Sequence, residues 1–269
     1  MNAPSLPTPA LDTAIPPSPL HGRRGLVIGA ANDHSIAWGC ARILHERGAR
    51  LVLSCLNEKA RPHVAPLAEA IGVPLHLCDV EQPGDLEKLV AQAAEHLGSL
   101  DFVVHSIAFA PRDDLHGRVT DSSAAGFAKA MQVSCHSFAE LARLAEPHMP
   151  QGGTLVTMTY IGADEAVPHY GLMGPVKAAL ESMVRYMALE LGPSNIRVHA
   201  VSPGPMPTRA ASGLQEFDAL MARAAEQSPL GRLVSLDEVG GCVAFLVGPD
   251  ATGMTGQTLF VDAGVHAVR

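Results

Sequence analysis

The 269-residue sequence has few aromatic residues, no cluster of basic residues and no long apolar run. Phe, Trp and Tyr together make up 4% of the chain, and the formal net charge is −8, with Lys and Arg scattered along it. Nucleic acids and anionic membrane surfaces are bound through a basic face, and a membrane-spanning helix needs roughly 20 consecutive apolar residues. We therefore expect neither a nucleic acid nor a membrane as the partner of this chain.

The sequence also lacks paired cysteines and metal-ligand spacings. Its five cysteines stand singly in apolar stretches, and its thirteen histidines lack the i,i+4 spacing of a helical zinc site. Single core thiols are typical of a reducing compartment, and the N-terminal segment lacks the basic and apolar regions of a secretory signal. These features predict a cytoplasmic protein without a metal, with most of its histidines on the surface.

The N-terminal segment is rich in Pro, Ala, Ser and Leu. Proline at this density disfavours both helix and sheet, so we predict a disordered tail over residues 1–20. Nothing in the remainder resembles a linker, and 47% of the residues are hydrophobic, enough for a sizeable core. Residues 21–269 are therefore predicted to form a single domain.

Short apolar runs alternate with longer amphipathic stretches along that domain. Strands are predicted at residues 25–28, 50–54, 75–78, 102–105, 154–158, 197–201 and 258–261. Helices are predicted at residues 36–47, 85–97, 122–145, 173–191 and 236–246, with Gly48 and Gly192 as C-terminal caps and Ser235 as an N-terminal cap. Such alternation predicts an α/β, Rossmann-like, doubly wound parallel sheet of seven strands with helices on both faces. Ligands bind such sheets beyond the carboxyl ends of the strands.

The turn after the first strand allows two interpretations. The fingerprint G-x-G-x-x-G is absent, but Gly29 and the two alanines after it permit a close backbone approach, and Ser35 precedes the next helix. A helix N-terminus there could face a pyrophosphate; equally, the segment could be an ordinary turn closed by a serine cap. After the second strand, Glu58 and Lys59 point to opposite cofactor preferences. Asp79, after the third strand, could bind the adenine amino group or cap a helix.

Tyr170 and Lys177 form the most informative pair. They are seven residues apart, two helical turns, so both would project from nearly one helix face. A neighbouring ammonium lowers the pKa of a phenol, and the pair could then donate a hydrogen bond or proton to an oxygen that gains negative charge. Lys177 could also bind ribose hydroxyls. The alternative is that Tyr170 packs at a helix start and Lys177 is solvated.

At these residues the sequence resembles the short-chain dehydrogenase/reductase family, and within it the bacterial enoyl-acyl-carrier-protein reductases. Gly29 is followed six residues later by Ser-Ile-Ala, and the tyrosine and lysine have the Tyr-x6-Lys spacing with Tyr160 preceding them. His105-Ser106-Ile107 follows the fourth strand, and Gly204-Pro205 with Thr208 follows the sixth. The likeness covers roughly residues 22–265.

The resemblance implies reduction of a trans-2-enoyl thioester, carried on acyl carrier protein or coenzyme A, by NADH, with NADPH possible. It implies catalytic roles for Tyr170, Lys177 and Tyr160, and an acyl pocket formed by Tyr160, Met173, Met206 and Phe217. It assigns cofactor binding to Gly29, Ser35, Ile36, Asp79, Val80, Ser106, Ile107, Ala108, Lys177, Pro205, Met206 and Thr208. It also implies a mobile substrate loop over residues 205–221 and a homotetramer, for which the interface would be the apolar stripe Leu180, Met183, Val184, Met187 and Leu191.

Two other functions fit the same fold. A carbonyl reductase or alcohol dehydrogenase would use a Ser or Thr about thirteen residues before the tyrosine, and Thr157 occupies that place. A non-catalytic dinucleotide sensor would be expected to have lost the tyrosine or the lysine, and both are present. Tyr160 and the seven-residue spacing favour the enoyl reductase.

Overall fold

The computed structural model describes residues 18–208 and 216–268. Seven parallel strands form one sheet in the order β3-β2-β1-β4-β5-β6-β7. The strands are β1 Arg24–Ala30, β2 Arg50–Cys55, β3 Leu75–Leu77, β4 Phe102–His105, β5 Gly153–Met158, β6 Ile196–Pro203 and β7 Gln257–Val261. The seven predicted strands and the doubly wound α/β fold are confirmed.

Nine α-helices are described along the chain. They are α1 Ile36–Glu46, α2 Arg61–Ala70, α3 Asp85–Leu97, α4 Arg112–Leu115, α5 Ala124–Met131, α6 Ser137–Ala145, α7 Met173–Leu191, α8 Phe217–Gln227 and α9 Leu236–Val247. Two apolar clusters cover the two faces of the sheet. One contains buried residues of α3, α6 and α7, and the other contains those of α1, α2 and α9. Because helices cover both faces, most strand positions are apolar.

The five predicted helices are present, but one of them is interrupted, and three further helices were not predicted. The predicted helix 122–145 is interrupted by a π-helical segment, Gln132–His136, between α5 and α6. Helices α2, α4 and α8 were not predicted. Gly192 occupies the predicted C-cap position of α7, but it keeps a right-handed helical conformation and starts a short 3-10 turn, and Asn195 adopts the left-handed conformation.

The other two predicted caps are confirmed. Gly48 follows α1 with φ +90°, and its N–H donates to the carbonyl of His45 at 2.8 Å. Ser235 forms a capping box with Glu238: the serine hydroxyl accepts from the Glu238 N–H, and the Glu238 carboxylate accepts from the Ser235 N–H at 2.8 Å. Both caps satisfy backbone groups that a helix end leaves unpaired.

Two further expectations are corrected by burial. Leu20, predicted in the tail, is fully buried and its N–H donates to the Arg47 carbonyl at 3.1 Å, so packing begins before residue 21; residues 1–17 lie outside the described part. His105 and His199 are buried, but most of the histidines are at least partly exposed, as predicted. The stripe Leu180, Met183, Val184, Met187 and Leu191 packs within or against the chain's own core and is not an exposed interface. Among the described residues, no helix is long and apolar enough to cross a bilayer.

Candidate active site

A cavity opens where the carboxyl ends of β1, β4, β5 and β6 meet, as expected for a doubly wound sheet. Fourteen of its lining residues were predicted: Gly29, Ser35, Ile36, Ser106, Ile107, Ala108, Tyr160, Tyr170, Met173, Lys177, Pro205, Met206, Thr208 and Phe217. Lys177 is the only charged side chain among the described lining residues. The cavity therefore combines an apolar wall with one basic group.

Asp79 and Val80 are the two predicted residues that do not line this cavity. The Asp79 N–H donates to the Asp85 carboxylate at 3.2 Å, and the Asp79 carboxylate accepts from the Glu81 N–H at 3.0 Å. Gly84, not Asp79, occupies the N-cap position of α3. Asp79 therefore stabilises the turn after β3 rather than capping the helix.

The turn after β1 packs directly against the turn after β4. Gly29 has φ +98°, and a Cβ there would lie 2.2 Å from the Ser106 carbonyl oxygen. Ser35 occupies the N-cap position of α1, but its hydroxyl donates to the Asn32 carbonyl at 2.7 Å and accepts from the Ala31 N–H, not from the helix. The first turn of α1 contains no acidic residue. This helix start consequently offers N–H groups and a positive dipole end without a repelling carboxylate, which fits a pyrophosphate.

Tyr160 and Tyr170 pack against each other at the edge of the cavity. Their ring centroids are 4.8 Å apart and the ring planes are inclined by 59°. Gly162 makes room for this pair, because a Cβ there would lie 2.4 Å from the Tyr170 ring. Tyr170 lies in the turn before α7 and not in the helix, so the assumption that both residues of the Tyr–Lys pair are helical is wrong. Both nevertheless line one cavity.

Lys177 is buried in the second turn of α7. Its Nζ donates to the Met158 carbonyl at the end of β5 at 2.7 Å. Burial lowers its pKa to about 8, and the neighbouring Cys135 and Glu181 act in the opposite direction. The alternative of a solvated Lys177 is therefore wrong.

The two phenols are held in their protonated forms. Burial, followed by the charge of Asp262, raises the pKa of Tyr160 to about 12. Burial also raises the pKa of Tyr170, and Tyr160 and Glu181 add to that increase. The prediction that Lys177 lowers the Tyr170 pKa is wrong. Burial has the largest effect on this pKa and raises it, and the charges that act on it are those of Tyr160 and Glu181. Tyr170 is therefore a neutral hydrogen-bond donor and not a phenolate at neutral pH.

Thr157, the residue on which the carbonyl reductase alternative depends, is not in the cavity. It is fully buried, and its hydroxyl is 3.0 Å from Nδ1 of His105. Nε2 of His105 lies 2.8 Å from the Ser137 hydroxyl, whose own proton goes to the Val133 carbonyl. This arrangement joins β4, β5 and the π-helical segment behind the site and leaves Thr157 out of reach of a ligand.

Several lining residues were not named individually by the sequence analysis, although Leu220 lies within the predicted substrate loop 205–221. Leu115 and Leu220 belong to α4 and α8, which were not predicted, and Phe109 and Ala110 lie on the segment between β4 and α4. Ser134 holds that segment by accepting from the Phe109 N–H and donating to the Phe109 carbonyl. The π-helical conformation that carries Ser134 has no signature in the apolar periodicity. Of the predicted substrate loop 205–221, residues 209–215 lie outside the described part.

The fold and the site together define a Rossmann-type oxidoreductase: a doubly wound sheet, a glycine turn facing a helix start, and a Tyr–Lys pair at the carboxyl ends of the strands. A family model described as Enoyl-(Acyl carrier protein) reductase matches residues 29–266. The chain therefore belongs to the enoyl-acyl-carrier-protein reductase family.

Individual relatives agree with this assignment. The chain is 41% identical over 251 residues to Enoyl-[acyl-carrier-protein] reductase [NADH] 1 of Rhizobium meliloti, covering 93% of this chain and 92% of that protein. It is 39% identical to Enoyl-[acyl-carrier-protein] reductase [NADPH] FabI of Staphylococcus aureus, covering 93% and 99%. It also resembles the crystal structure of the Anaplasma phagocytophilum reductase in complex with NAD, with a TM-score of 0.89, 43% identity and coverage of 93% and 96%.

Proposed function

We propose that this chain reduces the double bond of a trans-2-enoyl thioester on acyl carrier protein, with NADH as the reductant. The observation that carries the proposal is the convergence of Tyr160, Tyr170 and Lys177 on one apolar cavity at the carboxyl ends of the strands. Apolar walls suit an acyl chain, and the three polar side chains suit the reacting end of a thioester.

The nucleotide would be held by the turns that border the cavity. The pyrophosphate would lie against Gly29, Ser35 and the start of α1. The nicotinamide would lie against the segments 106–108 and 205–208. When bound, the reduced nicotinamide supplies the hydride that reaches C3 of the substrate. Lys177, with one N–H committed to the Met158 carbonyl, has further N–H groups to donate to ribose hydroxyls.

The segment after β2 supports NADH over NADPH. A base in this region usually accommodates the 2′-phosphate of NADPH. Leu56, directly after β2, is apolar and half exposed, and the guanidinium of Arg61 is 3.3 Å from the Glu58 carboxylate. The neighbouring carboxylate disfavours a phosphate there, so we propose that NADH is preferred.

Tyr170 would stabilise the charge that develops on the substrate. Hydride addition to C3 converts the thioester carbonyl oxygen into an enolate oxygen, and the Tyr170 hydroxyl donates a hydrogen bond there until C2 is protonated. Its raised pKa keeps the hydroxyl protonated for this role. Tyr160, Met173, Met206 and Phe217 would contact the acyl chain.

The proposal is tested by following oxidation of NADH and NADPH with a trans-2-enoyl thioester and the matching 3-ketoacyl thioester. Each is supplied on acyl carrier protein and on coenzyme A, which separates the two carriers. We expect consumption of NADH with the enoyl substrate alone. Consumption with the ketoacyl substrate alone would identify a carbonyl reductase. Nucleotide binding without turnover of either would identify a sensor.

We also propose that the chain acts as a homotetramer in the cytoplasm. Two helices on opposite faces of the sheet carry exposed apolar side chains. These are Tyr186 and Leu189 on α7 and Phe245 on α9. Two separate apolar surfaces suit two interfaces and thus a dimer of dimers. The five free thiols suit a reducing compartment.

A further inference from the structure

Two consecutive residues at the end of β5 are each bound by a side chain of α7. Lys177 Nζ donates to the Met158 carbonyl at 2.7 Å. One helical turn later, Glu181 accepts from the Thr159 hydroxyl at 2.6 Å. The next residue along the chain is Tyr160, which packs against Tyr170. The path from β5 to the phenols is thus fastened to α7 at two adjacent points.

Glu181 is an unusual residue for this place because its side chain is in the interior. Only 6% of it is exposed, and burying a carboxylate costs free energy unless hydrogen bonds compensate. Burial raises its pKa, Asp164 adds to that increase, and hydrogen bonds from Thr159 and Thr258 and the charge of Arg185 oppose it. Burial of the Glu181 carboxylate is thus unfavourable, yet the carboxylate accepts a hydrogen bond from Thr159, which lines the cavity. This combination points to a role of Glu181 at the site.

The charged surroundings of Lys177 make Glu181 important in a second way. His105 on β4, Cys135 on the π-helical segment and Glu181 on α7 are the titratable groups whose charges act on or respond to Lys177. Burial lowers the pKa of His105 to about 3 and raises the pKa of the Cys135 thiol, so both are uncharged at neutral pH. Glu181 remains as the acidic group that favours the ammonium form of Lys177.

We propose that Glu181 is a positioning residue of this active site: through Thr159 it fixes the end of β5, so that the Met158 carbonyl orients Lys177 and Tyr160 orients Tyr170. This inference rests on the proposed function, since the orientation matters only if Lys177 and Tyr170 serve the reduction. Glu181 itself does not line the cavity, and Thr159, which does, is the residue through which it acts.

The test compares Glu181→Leu, which removes the acceptor, with Glu181→Gln, which keeps an acceptor but removes the charge. For Glu181→Leu we expect kcat to fall by about tenfold or more with a smaller change in KM, because a displacement of about 1 Å can cost on the order of 100-fold. Glu181→Gln should recover most of kcat at pH 6, where Lys177 is still in its ammonium form. Its alkaline loss of activity should begin at a lower pH than in the wild type, because Lys177 lacks its carboxylate neighbour.

Glu190→Gln is the matched control, because Glu190 is exposed on the same helix. It should leave kcat and the pH profile unchanged. If Glu181→Leu fails to fold, as judged by thermal melting, Thr159→Val and Thr159→Ser replace it. The valine variant should lose kcat and the serine variant should retain it.

The proposal is overturned if Glu181→Leu keeps wild-type kcat and pH dependence, or if the valine and serine variants behave alike. Wild-type protein without enoyl reductase activity would instead overturn the proposed function. In that case the dissociation constant of NADH, measured by fluorescence as a function of pH, tests the same effect of Glu181→Gln on Lys177. A profile identical to that of Glu190→Gln would overturn the inference there too.

Discussion

At the scale of single residues, the site depends on polar groups held in an apolar interior. Lys177, Glu181 and Thr159 are each less than one-tenth exposed, and each has a hydrogen-bond partner at the end of β5 or on α7. The sequence identified the Tyr–Lys pair from its spacing. It could not identify Glu181 and Thr159, because a glutamate in a helix is usually solvated and only the packed structure reveals that this one faces inward.

Replacement of Tyr170 by phenylalanine tests the hydrogen bond to the enolate oxygen. We expect kcat to fall by about 10²–10⁴-fold, the usual contribution of a positioned acid, with unchanged nucleotide affinity. Tyr186→Phe is the control, since Tyr186 is 65% exposed on α7. Steady-state kinetics and fluorescence titration with NADH measure the two quantities. Equal kcat values for the two variants would contradict the role of Tyr170.

The pH dependence of turnover tests the state of Lys177. Burial lowers its pKa to about 8, so the ammonium form is present below that pH and is lost as the pH rises through it. Tyr170 stays protonated over this range because its pKa is raised. We expect kcat to decline above about pH 8, measured with saturating NADH and enoyl thioester. A constant kcat up to pH 10 would show that the charge of Lys177 is not required.

At the scale of secondary structure elements, the strands were the most predictable part. A parallel strand buried on both faces is an uninterrupted apolar run, so β4 was predicted with its observed bounds. Helix α2 was missed because Pro62 and Pro66 lie within it, although Pro62 occupies the first turn, where proline is tolerated. The π-helical segment was missed because neither the apolar periodicity nor the composition of residues 122–145 marks it.

The contact between α1 and α9 depends on two glycines, Gly39 and Gly240. A Cβ at Gly240 would lie 2.8 Å from Cγ1 of Ile43 and 2.9 Å from the Gly39 carbonyl oxygen. We expect Gly240→Ala to lower the free energy of unfolding by about 1–3 kcal/mol, as overpacking does. Urea denaturation measures the change.

The adjacent Gly241 provides the matched control for that substitution. Its Cβ would meet only the Arg47 guanidinium at 3.6 Å, an ordinary contact. Gly241→Ala should therefore be neutral or stabilise the protein by about 0.5–1 kcal/mol through the better helix propensity of alanine. Equal effects at the two positions would contradict close packing between α1 and α9.

At the scale of the whole molecule, the position of the cavity follows from the strand order. The chain builds outward from β1 to β3, returns to β4 on the other side of β1, and continues outward to β7. The turns after β1 and β4 therefore meet at the switch point, where Gly29 contacts the Ser106 carbonyl. The alternation of strands and helices sufficed to predict this location. The exposed apolar surfaces could not be predicted, because the stripe chosen from the sequence faces the core.

The oligomeric state is the property that those exposed surfaces determine. Leu189 is 75% exposed and Tyr186 65% exposed on α7, and Phe245 is 40% exposed on α9. Since α7 and α9 cover opposite faces of the sheet, a subunit using both would form a dimer of dimers.

Light scattering should give four times the 28.1 kDa chain mass. A Tyr186→Lys, Leu189→Lys double variant should give half that mass, because charges disfavour burial at the α7 interface, whereas Glu190→Gln should remain tetrameric. A monomeric wild type, or a double variant that stays tetrameric, would refute an interface through α7.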